Sequence, residues 1–420
     1  METHLADFIR DTRAGREADE ILRKCVHCGF CTATCPTYQL FGDELDGPRG
    51  RIYLIKQMLE GAEVTGKTQL HLDRCLACRS CESTCPSGVH YSRLLDIGRA
   101  VLETRVARGA AESLLRGALR QLLPRRWLFG PAYRLGQLFR PLLPGALKAK
   151  LLPYRAPGAW PRPLARQARS MIALAGCVQP AMAPSINAAT ARVLDRLGIR
   201  MIEAERAGCC GALRLHLGAE QAARADARRN IDAWWPLLEA GAECILATAS
   251  GCGTQLRDYV HLLQDDPAYA VKAARVSLLS RDVSEVIAAE QERLLLLLAE
   301  TSVPAPAAAQ KLAFHSPCSL QHGLKIRGTA EELLSAAGYV LTPVADGHLC
   351  CGSAGAYSVL QPEIGTRLRD NKLAALCAEQ PGAIATANIG CLAHLQSGTA
   401  LPVRHWIEYL DARLAEPAAG

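Results

Sequence analysis

Residues 25–36 read CVHCGFCTATCP, and residues 75–86 read CLACRSCESTCP. Both stretches have the spacing C-x2-C-x2-C-x3-C-P, which is typical of bacterial ferredoxins that hold two iron–sulfur clusters. The first three cysteines of such a stretch ligate one cluster, whereas the fourth lies too far along the chain and ligates the other. The spacing therefore predicts two [4Fe–4S] clusters, with one cysteine exchanged between the stretches.

The exchange assigns every cysteine of the two stretches to one cluster. We expect the first cluster to be held by Cys25, Cys28, Cys31 and Cys85. We expect the second cluster to be held by Cys75, Cys78, Cys81 and Cys35. The alternative is a pair of structural zinc sites. A zinc ribbon has two separate C-x2-C pairs rather than a triple followed by Cys-Pro, so the pattern favours iron.

Composition restricts the class of protein. A chain of 420 residues predicts two or three domains. The 18 cysteines, many of them in metal-type spacings, indicate a reducing compartment rather than a disulfide framework. No apolar signal segment and no membrane-spanning run are found, which favours a cytoplasmic protein. The net charge of +7 comes without an aromatic-basic motif, so we expect no nucleic-acid partner.

The N-terminal part is predicted to be helical, and a basic connector follows it. Apolar residues at helical spacing predict an α-helical ferredoxin domain over residues 1–110. Residues 111–168 are rich in Leu, Pro and Arg, and no acidic residue lies between Glu112 and Asp195. Such a stretch is typical of a segment that lies on an anionic membrane surface. It also suits a connector that packs on a partner subunit with its arginines in solvent, and the sequence leaves both interpretations open.

The second half of the chain repeats itself. In both copies, 31 residues separate a first cysteine, Cys177 or Cys318, from a Cys-Cys-Gly triplet. Equal spacing in two copies indicates an internal duplication. Apolar runs that alternate with helical segments predict an α/β fold with a mostly parallel sheet. We expect two cysteine-rich α/β domains, at residues 169–290 and 291–420.

Each copy places four cysteines at or just after the ends of predicted strands. They are Cys177, Cys209, Cys210 and Cys252 in the first copy, and Cys318, Cys350, Cys351 and Cys391 in the second. Four thiolates at strand ends suit a further metal or redox centre, whereas buried cysteines also serve as small apolar residues. The sequence does not decide between these interpretations. The nearby His315, His322 and His348 are expected to be ordinary core or surface histidines, and Cys244 and Cys377 are expected in the core.

Together these features resemble the iron–sulfur subunits of glycolate oxidases. Residues 47–56 (GPRGRIYLIK), 247–254 (ATASGCGT) and 385–391 (ATANIGC) carry the resemblance, which covers nearly the whole chain. Heterodisulfide reductase subunits are similar too, and their repeat ends in C-x2-C and carries an unusual cluster. Ala249 and Asn388 replace the first cysteine of that closing pair here. Those ligands are therefore not transferred to this chain.

The resemblance implies an electron-transfer subunit of a complex that oxidises glycolate, and also D-lactate, to the keto acid. A flavin-containing subunit would oxidise the substrate, and this chain would pass electrons toward a quinone-type acceptor on the cytoplasmic face of the inner membrane. No glycine-rich dinucleotide motif is found, so no substrate chemistry is expected in this chain alone. Alternatives are a subunit of a glycerol-3-phosphate or lactate dehydrogenase, an enzyme like heterodisulfide reductase, and a scaffold braced by its clusters.

Overall fold

The structure is a computed structural model, and it describes residues 1–145, 148, 151–161, 169–301, 303 and 311–415. The N-terminal part is helical, as predicted. Its helices are Asp7–Arg10, Arg13–Lys24, Pro36–Phe41, Pro48–Leu59, Gly66–Asp73, Ser80–Thr84 and Tyr91–Arg105. Two short 3-10 turns, Phe30–Thr32 and Glu44–Asp46, complete this part.

Local sequence explains where two of these helices begin. The Thr12 side chain accepts a hydrogen bond of 3.0 Å from the Gly15 backbone N–H, so it caps the helix that follows. Pro48 occupies the first turn of its helix, where no backbone N–H is needed. Both helices therefore begin at residues whose chemistry favours a helix start.

Close packing joins the helices Pro48–Leu59 and Tyr91–Arg105. Ile55, Leu94 and Leu95 are fully buried between them. Gly98 faces Ile55 so closely that an added Cβ would lie 2.8 Å from Ile55 Cγ1. A residue without a side chain is therefore needed at position 98.

The predicted connector forms two helices, Ala110–Leu122 and Arg126–Leu138, and a 3-10 turn, Arg140–Leu142. Arg116 is buried, and its Nη2 lies 3.1 Å from Asp73 Oδ1. Arg126 Nε donates a hydrogen bond of 2.6 Å to the Gly176 carbonyl. These two arginines are not in solvent, because they tie the connector to the helical part and to the first sheet.

Two parallel sheets of four strands form the rest of the fold. The first consists of β1 (Arg169–Leu174), β2 (Ile199–Glu203), β3 (Ile245–Ala247) and β4 (Ser280–Asp282), in the order β2-β1-β3-β4. The second consists of β5 (Lys311–His315), β6 (Val340–Thr342), β7 (Ala383–Thr386) and β8 (Val403–His405), in the order β6-β5-β7-β8. The identical order confirms the predicted duplication. β4 and β8 were not predicted, since their sequences, SRD and VRH, contain no apolar run.

Helices surround both sheets. In the first repeat they are Gln179–Met182, Ser185–Arg196, Ala212–His216, Glu220–Glu239, Ser250–Arg257, Tyr259–Leu262, Ala270–Leu279 and Val283–Ala289. The helix Gln291–Glu300 lies between β4 and β5 in the chain. In the second repeat they are Thr329–Ala336, Tyr357–Leu360, Pro362–Cys377, Ile389–Gln396 and Trp406–Leu414, with a π-helical turn at Ser319–Gly323. The segment 282–300 forms two helices, and Asp282 caps the first of them.

The helical part contacts both repeats. Glu17 Oε1 lies 2.7 Å from His261 Nε2, and Arg79 Nη1 lies 3.3 Å from Asp258 Oδ2 in the first repeat. Ser83 Oγ lies 2.9 Å from the Nδ1 atom of His322 in the second repeat. The N-terminal helices are therefore seated against both α/β units.

Candidate metal centres

Five cysteines from the two stretches line one open pocket of about 440 Å³: Cys25, Cys28, Cys31, Cys81 and Cys85. All of them except Cys81 are the predicted ligands of the first cluster. The first three lie on the loop that follows the helix Arg13–Lys24, and this loop bends through a left-handed residue, Gly29, at φ 84°. Cys81 lies in the helix Ser80–Thr84 and Cys85 ends it, so this helix brings sulfurs of the second stretch to the pocket of the first.

The thiols of this pocket raise one another's pKa. Burial, followed by the charges of Cys25 and Cys28, raises the pKa of Cys31 to about 11. Burial also raises the pKa of Cys25, and Cys85 adds to this effect. A cation bound among these sulfurs reverses the effect, because it favours the thiolate form of each ligand. The donor set therefore fits a thiolate-ligated cluster.

A second pocket, of about 310 Å³, lies beside the first. Its sulfurs come from Cys35, Cys75, Cys78 and Cys81. Burial raises the pKa of Cys78 and Cys81 well above the usual thiol value. Cys81 lines both pockets and stands between them. The second pocket again combines three cysteines of one stretch with one of the other, so its donor set fits the same kind of cluster.

The two pockets differ in their exposure. In the first pocket Cys28 is exposed, and its neighbours Val26 and Phe30 are 68% and 62% exposed. The second pocket is covered by the second repeat: Leu76 packs with Cys350 and Tyr357 in one apolar cluster, against which Cys78 and Cys318 are also packed. The first pocket thus faces outward, and the second faces the interior of the molecule.

The four cysteines of the first repeat also come together. They lie where three strands end: Cys177 after β1, Cys209 and Cys210 after β2, and Cys252 after β3. Hydrogen bonds from Cys177 and Cys210 lower the pKa of Cys209 well below the usual thiol value. The Gly211 backbone N–H, 3.5 Å from Cys209 Sγ, acts in the same direction. The repeat therefore holds a group of four sulfurs in which one thiolate is favoured.

The second repeat gathers its cysteines in the same way and adds a histidine. Cys318 Sγ lies 3.8 Å from Cys350 Sγ. The Cys351 and Cys391 sulfurs and a ring nitrogen of His315 lie within 4.8 Å of one another. Burial lowers the pKa of His315 to about 3, so its ring is neutral. His315 is buried in the core, and its Nδ1 lies 2.9 Å from Thr386 Oγ1, whereas its Nε2 atom has no hydrogen-bond partner within the described part of the chain.

Two asparagines that have the same spacing from the cysteine pair in the sequence do not have equivalent surroundings in the structure. Asn230 and Asn371 each lie twenty residues after the second cysteine of their pair. Asn230 is buried and donates a hydrogen bond of 2.8 Å to the Cys209 carbonyl. Asn371 is exposed, and the buried residue of that turn is Lys372, whose Nζ donates to the Asp346 carbonyl at 2.7 Å. The surroundings of the two cysteine groups therefore differ.

Sequence reasoning missed two residues of these sites. Arg51 lines the second pocket, and the signal is its place one turn before Ile55 on the apolar face of a helix. His315 ends strand β5, where the corresponding residue of the first repeat is Leu174. The sequence signal for His315 is that a polar residue ends the apolar run in one repeat but not in the other. Cys244 is buried, as expected, whereas Cys377 is only partly buried.

Comparison with known proteins agrees with this geometry. The family described as "4Fe-4S dicluster domain" matches residues 21–89, and the family described as "Cysteine-rich domain" matches residues 172–257 and 312–396. The glycolate oxidase iron-sulfur subunit of Escherichia coli (strain K12) is 53% identical over 99% of both chains. The probable glycolate oxidase iron-sulfur subunit of Bacillus subtilis (strain 168) is 30% identical, over 90% of this chain and 89% of that protein.

A third relative matches only part of the chain. Lactate utilization protein A of Exiguobacterium sp. is 26% identical over 56% of this chain and 94% of its own length.

A dicluster domain followed by two cysteine-rich α/β domains defines an iron–sulfur electron-transfer protein, and its cofactors are two [4Fe–4S] clusters. Full-length identity of 53% and 30% to two relatives then decides the family. The chain belongs to the family of glycolate oxidase iron–sulfur subunits, which are parts of an oxidoreductase complex.

Proposed function

We propose that the two [4Fe–4S] clusters are ligated in the crossed pattern that the sequence predicts. Cys25, Cys28, Cys31 and Cys85 hold the first cluster. Cys75, Cys78, Cys81 and Cys35 hold the second cluster. The support is that each set of four lines one pocket. A bound cluster supplies one-electron transfer, while the protein provides the thiolates, the enclosure and the nearby charges.

We propose further that the complex oxidises glycolate, and D-lactate as a related substrate, to the keto acid. A flavin-containing subunit takes the electrons from the substrate, and this chain passes them toward a quinone-type acceptor. The names of the two full-length relatives support glycolate. The lactate utilization protein matches only 56% of the chain, so a role in a lactate-specific complex is the weaker candidate.

The complex purified anaerobically with its flavin subunit tests this function. The Cys78→Ser variant is expected to abolish turnover with a quinone or dye while glycolate still reduces the flavin. Cys377→Ser is the matched control, because Cys377 lies outside both pockets and is expected to leave turnover unchanged. Undiminished turnover in Cys78→Ser would exclude electron transfer through this chain.

For the location, we propose attachment to the cytoplasmic face of the inner membrane through the connector. In the part of the chain that the structure describes, no helix is long and apolar enough to cross a membrane. The connector instead exposes Trp127 and Leu138, each at 72%, beside the exposed Arg134. Apolar and basic side chains on one surface are typical of a segment that lies on an anionic membrane.

Vesicle sedimentation with anionic lipid tests this attachment. The complex is expected to bind at low salt and to be released at high salt. Leu138→Glu is expected to reduce binding several-fold, whereas Leu278→Glu, at an equally exposed leucine of the first repeat, is the control and is expected to bind normally. If both variants bind as the wild type does, the connector packs on a partner subunit instead.

We also propose the domain division 1–110, 111–168, 169–290 and 291–420. The helix Tyr91–Arg105 ends the first unit, and the short helix after β4 ends at Ala289. Limited proteolysis is expected to cut first near these boundaries, and cuts inside the sheets would contradict the division.

A further inference from the structure

We propose that Arg51 raises the reduction potential of the second cluster, so that this enclosed cluster can still be reduced. The proposal rests on the ligand assignment above. Reduction adds a negative charge to a cluster that already carries four thiolates. Water stabilises such a charge at an exposed site, whereas an enclosed site needs a cation of the protein to do so.

Arg51 is placed where its charge acts more strongly on the second cluster than on the first. Its side chain lines the second pocket and is 1% exposed. Nη1 lies 4.0 Å from Cys35 Sγ and donates a hydrogen bond of 3.0 Å to Thr37 Oγ1. Nε donates a hydrogen bond of 2.7 Å to the His71 carbonyl. These contacts fix the guanidinium against the ligand that the first stretch contributes.

The surrounding charges leave this region positive. Asp46 is fully buried, and its Oδ1 lies 3.3 Å from Arg51 Nη2. Its Oδ2 lies 2.7 Å from Nη1 of a second arginine, Arg74. His71 Nδ1 is 3.0 Å from the same carboxylate. Two guanidinium groups therefore share one carboxylate. Together, the two arginines, Asp46 and His71 carry at least one net positive charge even when the histidine is neutral.

Arg51 keeps its charge in this position. Burial acts to lower its pKa, but the nearby Cys75, Tyr91, Cys35 and Asp46 raise the pKa above its ordinary value. A guanidinium is protonated at any working pH of a protein. The positive charge beside the second pocket is therefore permanent.

The first pocket has no equivalent buried charge among its lining residues. Arg49 lines it, but Arg49 Nε is paired with Glu44 Oε1 at 2.6 Å, and both side chains are more than one-third exposed. An exposed ion pair is nearly neutral at a distance and is screened by solvent. Arg49 is therefore the natural control for Arg51, two residues away on the same helix.

The test is a redox titration of the anaerobically purified full-length chain, followed by electron paramagnetic resonance. The wild type is expected to bind about eight iron atoms and to show two one-electron steps. In Arg51→Gln, the midpoint potential of one step is expected to fall, so that the reduced-to-oxidised ratio of that cluster at a fixed potential falls about tenfold. This corresponds to a shift of about 59 mV. Arg51→Lys is expected to restore most of the shift, and Arg49→Gln is expected to move neither step.

Two outcomes would overturn the proposal. The proposal is wrong if Arg51→Gln shifts neither midpoint potential by more than Arg49→Gln does. It is also wrong if Arg51→Gln shifts both midpoint potentials equally, because Arg51 then has no particular effect on the second cluster. If the wild type has fewer than two reducible clusters, the ligand assignment fails first and the proposal fails with it. Should Arg51→Gln not load iron, Arg74→Gln decides, because it removes the second cation from the same carboxylate. Arg74→Gln is expected to lower the midpoint potential of one step. If its redox titration equals that of the wild type, the proposal is wrong.

Discussion

Tyr357 Oη donates a hydrogen bond of 2.9 Å to the backbone carbonyl of Arg74, although the two residues are 283 positions apart. The acceptor directly precedes Cys75, the first cysteine of the second stretch. The donor begins a short helix of the second repeat, seven residues after Cys350. One hydroxyl thus fixes the loop of the second pocket to the cysteine group of the second repeat.

Replacing this hydroxyl is expected to loosen the contact. Tyr357→Phe leaves the buried Arg74 carbonyl without its partner, which costs about 1–3 kcal/mol. Amide hydrogen exchange of residues 72–78 is expected to become faster, because these residues then open locally at lower free energy. Tyr154→Phe, at an exposed tyrosine, is the control. Unchanged exchange at residues 72–78 would show that the apolar packing alone fixes the loop.

Cys85→Ser tests the exchange of cysteines between the stretches. The serine hydroxyl is a poor cluster ligand, so the first cluster is expected to be lost although its other three ligands lie in the other stretch. Iron analysis is expected to fall from about eight atoms to about four. Because Cys85 is assigned to the first cluster, the surviving signal should remain sensitive to Arg51→Gln in the double variant. A surviving signal that no longer responds to Arg51 would mean that the stretches bind their clusters separately.

Gly98→Ala is expected to destabilise the helical part. The new Cβ would meet Ile55 Cγ1 at 2.8 Å, and overpacking of this kind costs about 1–3 kcal/mol. Gly117 also lies within a helix, but open space surrounds the position of its Cβ. Gly117→Ala is therefore expected to leave stability unchanged or to raise it by up to about 1 kcal/mol. Chemical denaturation of both variants checks the pair, and equal effects would contradict the packing argument.

Acid is expected to weaken the end of the second repeat through His405. This buried residue caps the last helix, where its Nδ1 accepts a hydrogen bond of 3.3 Å from the Ile407 N–H. Burial lowers its pKa to about 4. The unfolded chain, with an imidazole pKa of about 6.5, therefore holds more protons between these values, and stability falls as pH falls from about 6.5 toward 4.

His405→Asn checks this effect, since asparagine also caps helices but does not titrate. Between pH 7 and pH 5.5, the wild type should lose about 1 kcal/mol more than the variant in the free energy of unfolding. His315 titrates in the same direction in both proteins, so the comparison isolates His405. The same loss in both proteins would mean that His405 makes no pH-dependent contribution.

The periodic parts of the fold could be predicted from sequence. The cysteine spacing of residues 25–36 and 75–86 places sulfurs from both stretches around each pocket. Apolar runs predicted six of the eight strands, because those runs are long enough to show their pattern. The Cys-Cys-Gly repeat predicted an internal duplication, and the two sheets indeed share one strand order, although the order itself was not predicted.

Features that depend on tertiary contacts could not be predicted. The helical spacing of Arg51 and Ile55 indicates the buried face of the helix, but the place of Arg51 beside a cysteine ligand follows only from its tertiary contacts with Asp46 and His71. The contact between Ser83 and His322 joins residues 239 positions apart, and nothing local signals it. Asn371 keeps the spacing of Asn230 but not its burial, because its helix begins one residue later after the cysteine pair, so that Lys372 takes the equivalent buried position.

The sulfur from Cys85 in the first pocket has a consequence for how the molecule is made. In the proposed ligation, a growing chain on the ribosome cannot complete the first site from the first stretch alone, since Cys85 is synthesised 54 residues after Cys31. Iron that is delivered before Cys85 is synthesised finds only three of the four thiols, and the fourth side of the site is open. Cofactor insertion therefore cannot finish before the second stretch has been translated. A product truncated before residue 85 cannot complete its first cluster.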